Sequence, residues 1–491
     1  MRRSSSPGLG QWLLVSVMVV LVLFLLFKLY QYGNFRRFYP AGLEIAGVPI
    51  GGLTRDEAAE RLNERYLQAP VIIFHGAEAV EISPEEAEFA LDLETMLGQA
   101  DFQRQQQDFW AGFWGYLWNR PVEVDQVELH ATHNPSALRE ALETVSSVYD
   151  KPALPPQPVP TTLSFQYGEA GIETEIEASM ADIEAAFYRA TDRQAHIVLE
   201  ATDAPRPEVN LLARLIVNYL EDFEGVASIF IMDLDNGEEI AINADVAMSG
   251  MSIVKVPIVL EVFRAIDQPL TAEQSRLISE TLVVQSGNFS ANLLLDIVAG
   301  QDDAYLGSNI LTDSMHRLGL MNTFIAVPYE EQPKPGNVTY QTPANEREDI
   351  TADPDPSMQT TAEDMGALLS YIYQCAEYNG GALIAAYDGD VTQEECQQIL
   401  DFMKLNHIGS LIEEGVPGDV AVAHKHGWIG DTHGDAGIVY SPAGDYVLVT
   451  YMFKPEWLEW EISSPLLAGI SRATYNYFNF DNPYLAGAVS N

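Results

Sequence analysis

Gly250-Met251-Ser252-Ile253-Val254-Lys255-Val256-Pro257 is the stretch on which the reading of this chain turns. Ser252 and Lys255 stand three residues apart, a spacing that puts a hydroxyl and an amine on one face of a helix. The apolar run Val256 to Phe263 behind them reads as a buried helix. A hydroxyl held against an amine in a dry pocket is the minimal set for a serine nucleophile with a lysine base. Lysine is scarce, at positions 28, 151, 255, 334, 404, 425 and 454, and only Lys255 has a serine three residues before it. The alternative for the same residues is a helix-capping serine beside a chance lysine.

Two later segments decide between these readings. One is Ser286-Gly287-Asn288-Phe289-Ser290-Ala291-Asn292-Leu293-Leu294-Leu295; the other is His424-Lys425-His426-Gly427-Trp428 on an expected strand. Together with Ser252 and Lys255 they resemble the Ser-x-x-Lys, Ser-Asp-Asn and Lys-Thr-Gly elements of class A β-lactamases and penicillin-binding proteins. The order is that of the family. Asn288-x-x-x-Asn292-Leu293-Leu294-Leu295, and Asp353-Pro354-Asp355-Pro356 followed by Thr360-Thr361-Ala362-x-Asp364-Met365, extend the likeness. It covers about Pro207 to Phe480, a little over half the chain. Ser290-x-Asn292 and Lys334-Pro335-Gly336 repeat two of the patterns, but the first falls inside an apolar helix and the second carries a proline that cannot donate in a central strand.

The resemblance implies roles. Ser252 would attack a carbonyl carbon, and Lys255, desolvated beside another cation, would take its proton. Ser286 would relay a proton to the leaving nitrogen. Asn288 would hold the substrate amide and orient Lys255. Lys425 would attract a peptide carboxylate, Gly427 would let substrate backbone lie along the strand, and the backbone N–H groups of Ser252 and Trp428 would form the oxyanion hole. His426 stands among the substrate-binding positions. Three departures limit this. Gly287 replaces the family's aspartate, His426 replaces its threonine, and no Glu-x-x-Leu-Asn lies between Gly319 and Asp353. Glu330, Glu331 and Glu346 lie in the corresponding loop without that motif. Acylation is therefore better supported than fast hydrolysis, as in a carboxypeptidase-like or transpeptidase-like acyl-enzyme or a slow β-lactamase. A silent wall-binding or β-lactam-sensing scaffold and an esterase on the same fold are the rival readings.

With 491 residues the chain has room for more than one domain. A net charge of −45 argues against nucleic acid as a partner and against binding an anionic surface through the general field, and it makes each rare cation a local anion site. Trp12 to Phe27 is almost wholly apolar and Leu29 and Tyr30 extend it, close to the ~20 residues that cross a bilayer. With no small-x-small cleavage site after it, the run reads as an uncleaved anchor. Arg2 and Arg3 before it and Lys28, Arg36 and Arg37 after it leave the orientation open; the content of the chain places its bulk outside the cell. No cofactor is expected. His424, His426 and His433 admit a metal site, with site-lining or surface histidines as the alternative, and no third ligand with open geometry is evident. Cys375 and Cys396, on two expected helices, suit a disulfide in an oxidising compartment, with two buried thiols as the alternative.

The order of elements predicts an α+β chain. Residues 1–11 form a cytoplasmic tail, 12–30 the transmembrane anchor, 38–205 a smaller α+β region, 207–480 the serine hydrolase domain and 481–491 a tail. In the smaller region, Thr54 to Glu57 form a capping box. Strands are expected at 71–74, 80–82 and 173–176, a helix from Ser179 to Phe187, a closing strand at 196–200, and a stiff connector in Lys151 to Pro160 with its five prolines. Tyr39-Pro40-Ala41-Gly42 and Gly47-Val48-Pro49-Ile50-Gly51-Gly52-Leu53-Thr54-x-x-Glu57-Ala58 resemble the peptidoglycan-binding domain of VanW-type cell-wall proteins, which implies wall binding and supplies no ligand residues. Trp110, Trp114 and Trp118 share one helix face. The stripe reads as core or interdomain packing, or else as a platform at a membrane interface or on sugars. In the larger domain, strands at 226–233, 239–243, 420–427, 435–440 and 446–453, and a last helix from Pro465, predict one antiparallel sheet closed from both ends plus a helical subdomain.

Overall fold

The computed structural model describes residues 9–120, 124–336, 338–387 and 389–485; residues 1–8 and 486–491 of the two expected tails lie outside them. The chain divides into two compact units, Met1–Leu154 with Glu169–Ala204, and Pro155–Gly168 with Pro205–Asn491. The smaller region is therefore not unbroken. The proline-rich connector enters the larger unit, where Gln157–Val159 and Ser164–Gln166 pair as a hairpin.

The first unit opens with helix α1 (Leu9–Phe35), of which Gln11–Phe35 is long and apolar enough to cross a membrane. Thr54 and Glu57 form the expected capping box ahead of a helix at Arg55–Asn63. A three-stranded sheet has Val71–His75 in the middle, antiparallel to Glu78–Ile82 and parallel to Gln194–His196. The expected closing strand splits here. Val198 donates its N–H to the Ser179 hydroxyl, and Leu199–Thr202 pairs instead with Gly171–Thr174. The helix expected from Ser179 begins earlier, at Ile176, and the buried Ser179 hydroxyl donates to the carbonyl of Glu175, the residue that precedes that helix.

Helix α2 (Phe109–Leu117), capped by Asp108, overturns the core reading of the tryptophan stripe. Trp110, Trp114 and Trp118 are 59, 50 and 69% exposed, whereas Phe113 is buried. The segment is aromatic on two faces, and α1 takes the other one. The Tyr32 ring lies 5.5 Å from Phe109, 5.7 Å from Phe113 and 5.4 Å from Tyr116. A Cβ at Gly112 would collide with the Tyr32 hydroxyl, so the approach of the two helices depends on that glycine.

The second unit is built on a five-stranded sheet of β1 (Val226–Asp233), β2 (Glu239–Ile242), β3 (Ala421–Trp428), β4 (Thr432–Ser441) and β5 (Gly444–Phe453). Its order is β2-β1-β5-β4-β3, with every pair antiparallel. Two-residue alternation separates two cores: Phe230 and Val449 join the helical side, while Ile229, Ile231 and Leu448 face the other. The helical side holds α3 (Lys255–Ala265) and α4 (Asn288–Ala299). The last helix, α5 (Trp460–Phe478), lies on the opposite face; it starts at Trp460, and Pro465 sits within it rather than opening it. Cys375 and Cys396 are joined between helices Ala362–Tyr378 and Gln393–Lys404, with Cα atoms 6.0 Å apart.

Candidate active site

Ser252 occupies the turn just before α3 rather than the helix itself. The turn is tight: Met251 is held at φ +49°, and a Cβ at Gly250 would lie 2.7 Å from Val254 Cγ1. Such strain in a well-packed unit concentrates at functional sites. The turn directs the Ser252 hydroxyl to the Lys255 amine at 2.9 Å.

Lys255 is fully buried and gathers the other groups. Its Nζ donates to the Asn288 Oδ1 at 2.8 Å and to the Ser286 carbonyl at 2.5 Å, and lies 3.3 Å from the Ser286 hydroxyl. Ser286 also adopts left-handed backbone, at φ +49°. Gly287 caps α4 without a side chain, and a Cβ there would lie 2.6 Å from the Ser290 hydroxyl. Ser290 thus fills the space into which an aspartate at 287 would extend.

Strand β3 closes the site. A Cβ at Gly427 would lie 2.9 Å from both the Ser252 nitrogen and Met251 Cβ, so the strand abuts the Ser252 turn only because position 427 is bare. Lys425, two residues back and fully buried, shares that face. Burial first, then the Lys425 charge, lowers the Lys255 amine to about 7, with Glu330 pulling the other way. Burial lowers Lys425 itself to about 8, opposed by Asp435.

His426 and Trp428 lie on β3 as expected, but alternation turns their side chains to the opposite face. There the two rings stack 5.3 Å apart, and His426 Nδ1 lies 3.4 Å from the buried Asn406 amide. Burial, then Lys425, lowers His426 to about 4, so it stands neutral. His424 is fully buried, its Nδ1 2.9 Å from Asp435 Oδ1 and its Nε2 2.7 Å from the Asn406 carbonyl. Burial opposes its protonation, but Asp435 and Glu413 outweigh that and raise its pKa. His433 lies 2.6 Å from the Ser463 hydroxyl. The three histidines do not converge, and among the described residues no three His, Cys, Asp or Glu side chains gather as metal ligands. Past Gly427, Trp428, Trp457 and Trp460 line an open groove of about 680 Å³.

Two groups in the site were not singled out from the sequence. Tyr329 is buried under Lys255, whose Nζ lies 4.7 Å from the ring centre, and the Tyr329 hydroxyl donates to the Met251 carbonyl at 2.6 Å. Glu330, seen only as a glutamate in the loop, accepts from Asn288 Nδ2 at 2.9 Å. The pairing of Asn288 with Asn292 one turn on was the available signal, because Asn292 holds the Tyr329 backbone.

Solved structures similar to the chain include a mutant of PBP-A in an acyl-enzyme complex with penicillin G, at 19% identity, 57% of this chain, 100% of that chain and a TM-score of 0.41. The β-lactamase from Sphaerobacter thermophilus is similar at 19% identity, 56% of this chain, 98% of that chain and a TM-score of 0.43. TLA-3 extended-spectrum β-lactamase is similar at 16% identity, 55% of this chain, 99% of that chain and a TM-score of 0.41. No curated protein matches the chain. The family described as the β-lactamase enzyme family matches residues 211–278 and 274–478, more than half of the sequence. The chain belongs to the β-lactamase enzyme family.

Proposed function

We propose that the protein is a membrane-anchored, extracytoplasmic serine acyl-enzyme that takes β-lactams or peptides ending in D-Ala-D-Ala. The observation that carries this reading is the buried Lys255 amine, lowered to about 7, 2.9 Å from the Ser252 hydroxyl. A neutral amine there accepts the Ser252 proton as Oγ bonds to the carbonyl carbon. The new oxyanion lies toward the backbone N–H groups of Ser252 and Trp428. Ser286 passes a proton from Lys255 to the leaving nitrogen, whose bond to carbon then breaks, leaving the acyl group on Ser252. Lys425 supplies the positive charge for the substrate carboxylate and Asn288 the amide contact. For release, Glu330 is the carboxylate hydrogen-bonded into the cluster, through Asn288.

Residues 12–30 anchor this chemistry in the bilayer, and the region 38–205 contacts peptidoglycan or spaces the hydrolase domain from the membrane. The disulfide between Cys375 and Cys396 supports an oxidising compartment. Release of D-alanine from an N-acylated D-Ala-D-Ala peptide, lost in Ser252→Ala, is the expected result. A chain that neither releases D-alanine nor takes up a β-lactam would instead be a silent scaffold.

A further inference from the structure

Where α1 meets α2, a cavity of about 380 Å³ is lined by Arg36, Arg104 and Arg120 together with Tyr32, Phe35 and Tyr116. Three guanidinium groups around one cavity are unexpected in a chain of net charge −45. Asp101 partly neutralises Arg104, at 2.9 Å, whereas Arg36 and Arg120 make no ion pair among the described residues. Arg36 lies over the Phe109 ring at 5.4 Å. An aromatic wall with two uncompensated guanidiniums matches an anion joined to an apolar body. Guanidinium is the side chain that meets phosphate oxygens two at a time.

Height in the bilayer names the source of that anion. A helix rises 1.5 Å per residue, so the roughly 30 Å hydrocarbon layer takes about 20 residues. Counted from Gln11, the start of the apolar span, that layer ends near Tyr30. Tyr32 to Arg36 then fall in the next several ångströms, where phospholipid headgroups lie. The exposed Trp110 and Trp114 of α2, which packs on the same end of α1, and Trp118 just after it suit that layer, in which tryptophan concentrates.

We propose that this cavity holds the phosphate of an anionic membrane lipid, with Arg36 and Arg120 as its ligands and α2 lying in the headgroup layer. The inference rests on the membrane reading of α1. The full chain is tested in nanodiscs of phosphatidylglycerol and of phosphatidylcholine, with retained lipid counted by native mass spectrometry. One phosphatidylglycerol per chain is expected. The double variant Arg36→Gln/Arg120→Gln should retain about tenfold less, the loss of a charge-assisted hydrogen bond or more, with an unchanged circular-dichroism melt. Arg37→Gln, beside the cavity but not lining it, should retain as much as the wild type. Equal retention of both lipids, or full retention by the folded double variant, would overturn the proposal. Glycerol 3-phosphate binding the detergent-solubilised chain as tightly as the lipid would also overturn it, making the site one for a soluble phosphoester. Carbonate extraction separates the two failures. A chain released by carbonate overturns the anchor itself, whereas a retained chain without lipid preference overturns the headgroup site alone.

Discussion

Asn292 grips the backbone of Tyr329 with both of its amide atoms: Nδ2 donates to the Tyr329 carbonyl at 2.8 Å, and Oδ1 accepts the Tyr329 N–H at 3.0 Å. The pair pins a long loop to α4 one turn beyond Asn288. It also sets Glu330, at φ +61°, where its carboxylate meets Asn288. A glutamate without the family's motif is in this way delivered to the cluster around Lys255. Glu330→Gln should leave the rate of β-lactam labelling within a few-fold and lengthen the life of the label about 10²-fold or more, the range of one general base. A label that turns over as fast in the variant contradicts that role.

Lys255 is the proton acceptor in this account. Lys255→Met keeps an unbranched side chain out to Cε and removes the amine, so acylation should fall by roughly 10²–10⁴-fold. Stopped-flow or gel-based labelling rates check this, with a thermal melt to confirm folding. A Met variant that labels within threefold of wild type would move the base elsewhere.

The pH profile follows from two lysines. Acylation needs Lys255 neutral, which favours pH above about 7, and Lys425 charged, which favours pH below about 8. The second-order labelling rate should therefore rise through the first value and fall through the second, in a narrow bell. In Lys425→Gln one repulsive charge is gone, so protonated Lys255 is less disfavoured. The rising limb should move to higher pH as binding weakens. A rise centred near pH 4 to 5 would point to a carboxylate base instead.

The disulfide closes a loop of 21 residues' separation between two helices of the helical subdomain. Cys375→Ser with Cys396→Ser should cost about 3 kcal/mol, which for a unit of this size lowers Tm by about 6–12 °C. Calorimetry of the double variant against wild type checks this, and an unchanged Tm would mean that the bridge adds no stability.

What could be read from the sequence was local. Ser252 and Lys255 lie within one turn, and Lys425 and Gly427 within one strand repeat, so short-range spacing brought them forward. The sheet was legible because its strands are short runs rich in Val, Ile, Phe and Tyr and its hairpin turn at Asp235-Asn236-Gly237 is strongly marked. Tyr329 and Glu330 were not, because a loop's place is fixed by one asparagine's hydrogen bonds and leaves no period. The partners of His426 were not legible either: alternation sets its side chain on the face opposite Lys425, where Asn406 and Trp428 meet it. The tryptophan stripe failed as a core signal because α2 is aromatic on two faces, and only the partner, Tyr32 of α1, decides which one is buried.

The most direct test of the central claim is a time course of the full chain with a fluorescent penicillin, followed by denaturing electrophoresis, for wild type and Ser252→Ala. A covalent band is expected in the wild type and none in the variant. A band of equal intensity in Ser252→Ala, or none in either at saturating β-lactam, would contradict it.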